Sequence, residues 1–183
     1  MSIHDFLTLC RDRYSCRFFD TERPVADEDL QAVLEAARLA PSACNKQPWQ
    51  FVVVRDEKAR RALLGKSRPT FVTAPVVVAC CGIHDEAWHR PADGKDHTDV
   101  DLSIATEHIC LAAAAAGLAS CWICSFDTDA AREVLALPQG VECVALIPLG
   151  YADKEHYPDI PQKVRKPADE VISCEVYPQK YPP

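Results

Sequence analysis

Residues 100–116 predict a long helix that ends in an unbroken alanine run, 112–116, followed by Gly117. Near its end this helix is apolar on nearly every side, and a helix with no polar face is buried all round. Its small side chains permit close approach to a sheet or to a second subunit. Gly117 supplies the stop, because glycine enters the left-handed cap conformation without penalty.

Around this helix the sequence alternates helical and extended periodicity. Leu30, Val33, Leu34 and Ala37 share one face of a helix capped by Asp27, running to about Leu39 and ended by Pro41. Residues 49–54 predict a buried strand, 57–64 a short helix and 75–81 a second buried strand. The polar stretch 83–99, with its His, Pro, Asp and Gly, predicts a loop or mobile flap. Residues 120–125 predict a third strand, Asp127 or Thr128 caps a helix to about Ala136, and 142–149 form a fourth strand ending at Gly150 and Tyr151. A strand candidate, 172–176, lies in a tail rich in Pro and Lys. No repeat, low-complexity tract or linker interrupts residues 1–183, so the reading is one domain, an α+β sandwich of three layers.

With 183 residues the chain can build a core without metal or disulfide staples. Its formal charge of −7 argues against a general nucleic-acid or anionic-membrane binder, both of which need a positive face. A local cationic cluster on such a chain points instead to a small anion. Residues 1–9 lack the basic start and long apolar run of a signal peptide. The longest apolar stretch, 109–119, is about half a membrane span. A cytoplasmic protein is expected. Of its ten cysteines, Cys80, Cys81, Cys110, Cys121 and Cys143 sit in apolar runs, where a free thiol behaves as a small hydrophobe. Cys121 and Cys124 have the CxxC spacing of redox or zinc sites, but no second pair completes a zinc site. In a strand, residues three apart face opposite sides, so a structural role for both is the simpler reading.

Three segments carry candidate chemistry. In Arg13-Tyr14-Ser15-Cys16-Arg17-Phe18, two cations flank a hydroxyl at alternate positions. In an extended segment Arg13, Ser15 and Arg17 converge on one side while Tyr14, Cys16 and Phe18 face the body of the protein. Two guanidinium forks and a hydroxyl suit a phosphate; taken alone, the same stretch also reads as a solvated basic loop. Ala40-Pro41-Ser42-Ala43-Cys44-Asn45-Lys46-Gln47-Pro48-Trp49 is framed by prolines and rich in small residues and amides. Its Asn and Gln offer the donors and acceptors that read an imide edge or hydroxyls, or else it is an ordinary helix-to-strand turn. Lys163-Val164-Arg165-Lys166-Pro167 either returns cations to the same anion or forms a solvated surface.

Together and in this order, the motifs resemble the FMN-dependent nitroreductase family, nearly end to end. The resemblance runs from the Arg13 to Phe18 motif through Ala40 to Trp49, the alanine-rich helix ending in Gly117-Leu118, and Cys121-Trp122-Ile123. It continues through Pro148-Leu149-Gly150-Tyr151 to the Lys163 to Pro167 segment. It implies a three-layer α+β sandwich, with a central mixed, mainly antiparallel sheet flanked by helices. It also implies an intertwined homodimer with FMN at the subunit interface. Hydride from NADH or NADPH would pass through FMN to nitroaromatics, quinones or enones in ping-pong fashion. By the same resemblance Arg13, Ser15 and Arg17 bind FMN, and Lys163 and Arg165 return to its phosphate and pyrimidine ends. Pro41, Ser42, Ala43 and Asn45 reach it from the other subunit, with Gln47 supporting their loop. Cys124 and Ser125 bring their main chain to the flavin N5 and O4 region. Because the cofactor carries the hydride chemistry, no catalytic side chain or metal is required.

The chain departs from larger members of that family in three places. Residues 83–99 are short where those carry covering helices, which implies a more open pocket. The family's further ribityl-contacting Asn and Lys have no clean match, although Lys66 and Arg68 lie nearby. Cys124 stands where many members have an acidic residue or Gly, which raises a thiol–flavin adduct as an alternative to main-chain support. His84, His89 and His97 read as solvated loop residues, as proton donors to product, or, with Asp85, Asp93 and Asp99, as metal ligands. Two other functions remain open: a specialised flavin reductase such as a dehalogenase, and a non-catalytic flavin sensor.

Overall fold

The computed structural model describes residues 1–65 and 69–177. Strand β2 (Val76–Ile83) is buried along its length up to Ile83, as expected of a β-branched run that must be covered on both faces. It pairs antiparallel with β1 (Trp49–Val54) on one side and with β4 (Val141–Gly150) on the other. A two-residue strand, β3 (Ala119–Ser120), pairs antiparallel with β4, giving the order β1-β2-β4-β3. The sheet between named strands is therefore antiparallel. An isolated parallel bridge, Ser15 to Ser120, supplies the mixed element.

Alternation along β2 divides the core in two. Val77, Ala79 and Cys81 pack with Leu63 and Leu64 of α3 (Glu57–Leu64) and Ala131 of α5 (Thr128–Val134). Val76, Val78 and Cys80 pack with Leu30, Val33 and Ala37 of α2 (Asp27–Arg38) and Leu102, Ile109 and Ala113 of α4 (Thr98–Ala115). The result is three layers: α3 and α5, the sheet, then α2 and α4. Opposite Cys80 and Cys81 the register on β4 shifts by one residue. Because of this bulge Val144 and Ala145 both turn to the α2/α4 side, while Cys143 faces Cys81 in the other cluster.

Several element ends differ from expectation. Asp27 is the first helical residue of α2 rather than its cap; Ala26 holds the cap position and the Asp27 carboxylate pairs with Arg55. The third strand stops after Ser120. Beyond it the ladder survives as Cys121 N–H to Pro148 O and the reciprocal bonds of Ile123 with Leu146. Pro148 has no N–H to return, which interrupts the pairing. Residues 172–176 form no extended strand: the Ile172 N–H closes α6 (Ala168–Val171) on Ala168 O, and Glu175 is left-handed at φ 57°. Ile83 belongs to β2 and Thr98 to α4, which leaves a loop of residues 84–97. That loop is closed on itself by Arg90 N–H to Lys95 O, Gly94 N–H to Arg90 O and His97 N–H to Trp88 O.

Two helices keep apolar surface uncovered within one chain. No residue of α1 (Ile3–Asp12) is buried, although a Ser2/Asp5 capping box fixes its start; Ile3, Phe6 and Leu7 are exposed. On α4, Val100 and Ile104 remain 42% and 36% exposed, so this helix is not covered all round by its own chain. Among the described residues no helix is long and apolar enough to cross a membrane.

Gly82 sets how closely β2 approaches α4: a Cβ built on it would overlap the Thr98 methyl carbon Cγ2. Thr98 is itself buried and β-branched and has little room to yield. Gly82→Ala is expected to lower stability by about 1–3 kcal/mol. Urea denaturation of the variant beside the wild type checks this.

Candidate functional site

Helix α1 stops at Asp12, with Arg13 as its C-cap. From there the chain runs extended along the edge of the sheet. Cys16 N–H donates to Ser120 O at 2.9 Å, Phe19 N–H to Thr73 Oγ1 at 3.2 Å and Asp20 N–H to Tyr151 O at 2.9 Å. Cys16 is buried and Tyr14 and Phe18 are half-buried, while Arg17 is exposed. Cys16 and Arg17 follow the expected alternation, but Arg13 and Ser15 are half-buried like Tyr14 and Phe18.

Lys163 arrives from the far end of the chain. Its Nζ donates to Cys10 O at 2.6 Å and to Arg13 O at 2.5 Å, the last carbonyls of α1. Free carbonyls at a helix C-terminus favour a cation, which locks the 163–165 segment beside the 13–17 segment. Arg13, Ser15, Arg17, Lys163 and Arg165, with Tyr14, Tyr157 and Pro161, line one cavity of about 300 Å³. Lys163 and Arg165 also border an adjoining cavity of about 500 Å³ with Cys10 and Ile160. Burial, followed by the nearby Arg13 and Arg165 guanidiniums, pulls the Lys163 pKa below the ordinary lysine value. Four cations share the first cavity, and no carboxylate is among its lining residues. An anion bound there relieves their mutual repulsion.

Tyr157 belongs to this wall and was missed in the sequence. Its hydroxyl oxygen accepts the Arg17 N–H at 3.1 Å, and its ring lies 5.2 Å from Tyr14. Burial, then the neighbouring Cys16 and Tyr157, pushes the Tyr14 phenol up to about 12. An isolated Tyr in a stretch of Pro and Asp gives no periodic signal, so only the fold reveals its role.

The second motif forms a strained turn. Cys44, Asn45 and Gln47 have φ of 50°, 54° and 52°, a left-handed region that residues other than glycine seldom enter. Ser42 Oγ accepts the Gln47 N–H at 2.9 Å, and Gln47 Nε2 donates to Asn45 O at 3.1 Å, so Gln47 braces the loop. From outside the loop, Asp101 Oδ1 accepts the Ala43 N–H at 2.9 Å. Asp101 is a second residue that sequence patterning missed, since a carboxylate in a first helical turn reads as ordinary. Pro41, Ser42, Ala43 and Asn45 do not line the cationic cavity of their own chain. Cys124 and Ser125 follow the Ile123 bridge, are exposed, and lie outside that lining as well. Lys66 and Arg68 lie outside the described residues.

The loop histidines are held by carboxylates and carbonyls. His84 contacts Asp96 through Nδ1 at 2.6 Å and Glu142 through Nε2 at 3.2 Å, with His89 3.9 Å from Asp96. His97 Nδ1 meets Lys95 O at 2.9 Å and its ring stands edge-on to Trp88 at 4.7 Å. Among the described residues no group of His, Cys, Asp and Glu is arranged to hold a metal. All ten cysteines are free thiols.

Comparison with known proteins identifies the family and the fold. The Nitroreductase family model matches residues 10–79 and 65–151. A putative NADH dehydrogenase/NAD(P)H nitroreductase of Archaeoglobus fulgidus is 33% identical over 165 residues, covering 84% of this chain and 88% of its own. Iodotyrosine deiodinase 1 of Sus scrofa is 28% identical over 202 residues, covering 92% of this chain and 68% of its own. Among solved structures, a nitroreductase family protein of Clostridium difficile superposes with a TM-score of 0.81 at 35% identity, covering 93% of this chain and 98% of its own. A structure described as an oxidoreductase containing FMN has a TM-score of 0.79 at 25% identity, covering 94% and 92%. The fold is that of an α+β oxidoreductase. The chain belongs to the nitroreductase family.

The His84 contacts set a pH dependence. Its bond to Asp96, then that to Glu142, raises its pKa above the usual imidazole value despite partial burial. A raised folded-state pKa contributes stability that is fully present below the unfolded value and is lost as pH rises through the folded one. Between about pH 6 and pH 8.5, the stability gap between wild type and His84→Gln is expected to shrink as pH rises. Urea denaturation of both proteins across that range checks it; a gap independent of pH contradicts the assignment.

Proposed function

We propose that this chain is an FMN-dependent NAD(P)H oxidoreductase of the cytoplasm that reduces nitroaromatics, quinones or related acceptors. The observation that carries the reading is the convergence of Arg13, Ser15 and Arg17 with Lys163 and Arg165 on one cavity, across 150 residues of sequence between Arg13 and Lys163. The donor set fits the cofactor. Guanidinium forks and a hydroxyl suit a terminal phosphate, and neighbouring cations favour electron density on the ring edge of a flavin. Bound FMN would supply hydride acceptance from NADH or NADPH and delivery to a second substrate, in ping-pong order.

The protein's own part is binding and orientation. Arg13, Ser15 and Arg17 hold the cofactor, with Lys163 and Arg165 at its phosphate and pyrimidine ends. Main-chain groups at Cys124 and Ser125 stabilise charge at the reacting edge. Pro41, Ser42, Ala43 and Asn45 complete the site from a second subunit. The uncovered apolar residues Ile3, Phe6 and Leu7 on α1 and Val100 and Ile104 on α4 support that homodimer, since burying them favours association.

A second reading, reductive dehalogenation on the same cofactor, draws on the likeness to iodotyrosine deiodinase 1. An NAD(P)H oxidation assay with menadione or a nitrofuran, run beside an iodinated phenol, separates the two by which acceptor turns over. A protein that takes up FMN but whose flavin NADH and NADPH both fail to bleach is not a reductase; it is then a flavin sensor. Arg13→Ala is expected to weaken FMN binding by about tenfold to a hundredfold, the worth of one charge-assisted hydrogen bond. Titration by quenching of flavin fluorescence measures this, and no quenching with the wild type overturns the flavin reading.

A further inference from the structure

We infer that Asp101 is a positioning residue for the cofactor site: it holds the strained loop 42–47 in the shape that meets the flavin. This rests on the assignment of that loop to the flavin site made above.

Asp101 stands in the first turn of α4, only 2% exposed. Its Oδ1 accepts the Ala43 N–H from 58 residues away. Its Oδ2 is buried with no hydrogen-bond partner. A buried oxygen left without a partner costs stability. The loop it grips is also costly, with Cys44, Asn45 and Gln47 all at positive φ. The loop's own bonds are local: Asn45 N–H to Ser42 O, Lys46 N–H to Ala43 O, and the two made by Gln47. Those bonds set the turn's internal shape, and at its far end Trp49 N–H to Gln47 O and Ile83 N–H to Pro48 O tie it to β1 and β2. The Asp101–Ala43 bond holds its near end, tying the loop to the helix that packs on β2.

An apolar residue at 101 would fill the same buried space without an orphaned oxygen. The arrangement therefore exchanges stability for loop placement, a combination found where strain serves a site. Asp101 acts through the main chain of Ala43; it is not a catalytic residue.

The experiment measures FMN affinity by fluorescence quenching and apo-protein melting temperature together, for wild type, Asp101→Ala, Asp101→Asn and Ile109→Val. Ile109 is a fully buried residue of the same helix, away from the loop. Asp101→Ala is expected to lose about tenfold or more in FMN affinity, well beyond what its change in melting temperature accounts for, because the orphaned oxygen that leaves offsets part of the cost of freeing the Ala43 N–H. Asp101→Asn keeps an acceptor for the Ala43 N–H and is expected to restore affinity to within about threefold of wild type. Ile109→Val is expected to lower the melting temperature and leave affinity unchanged.

An Asp101→Ala affinity within about twofold of wild type overturns the inference. So does an affinity loss shared by Ile109→Val in proportion to melting temperature, which marks Asp101 as merely structural. If Arg13→Ala weakens FMN as expected and Asp101→Ala does not, this inference alone falls. If the wild type binds no FMN, the flavin reading falls and takes this inference with it.

Discussion

Burial of β2 on both faces is the constraint from which the rest of the structure follows. A strand with no solvent face must be sandwiched, so its odd and even residues each recruit a pair of helices. Antiparallel partners on both edges then satisfy its backbone. The extra residue on β4 opposite Cys80 and Cys81 changes which side chains face which layer and keeps apolar groups on both faces through the last third of the strand. Gly82 permits the sheet's close approach to Thr98, at the start of the helix that also carries Asp101.

The cationic cavity depends on a different interaction, Lys163 against the C-terminus of α1. Four cations brought together in one wall repel one another, and nothing in the folding of the sheet requires them there. The free carbonyls of Cys10 and Arg13 offset part of that repulsion by accepting the Lys163 ammonium. This contact joins the two ends of the chain, so the site's cation wall exists only once the 160s have folded back over the first helix. Tyr157 reinforces the join by accepting the Arg17 N–H and packing on Tyr14.

Much of this was legible in the sequence. Periodicity located β1 and α3 at their observed ends, the faces of α2, and the buried run of β2. The convergence of Arg13, Ser15 and Arg17 on one cavity was legible because an extended segment translates spacing into side, whereas Tyr14, expected to face the body, lines that cavity too. What escaped depends on contacts between distant residues. The third strand stops early because its partner is Pro148, a fact about pairing rather than about residues 120–125. The 172–176 run has strand-like composition, but Ile172 N–H closes α6 and Glu175 turns left-handed, which breaks the extended backbone. Asp101 and Tyr157 carry no local signature; each matters for a backbone N–H more than fifty residues away.

Helix α4 explains why so small a fold has a site in separated parts. Its inner face anchors the sheet through Leu102, Ile109 and Ala113, its first turn grips loop 42–47 through Asp101, and its outer stripe of Val100 and Ile104 is left to solvent. The loop and the cation wall do not meet within one chain. One helix thus both ties down the loop and offers an uncovered apolar stripe, so a subunit docking on that stripe would lie close to the loop. Small side chains at residues 112–116 extend the close approach to the far end of the same helix, beside Gly117 and the start of β3. In the proposed homodimer, association through α4 would also complete the anion site, with the strained loop 42–47 already tied to that helix by the Asp101–Ala43 bond.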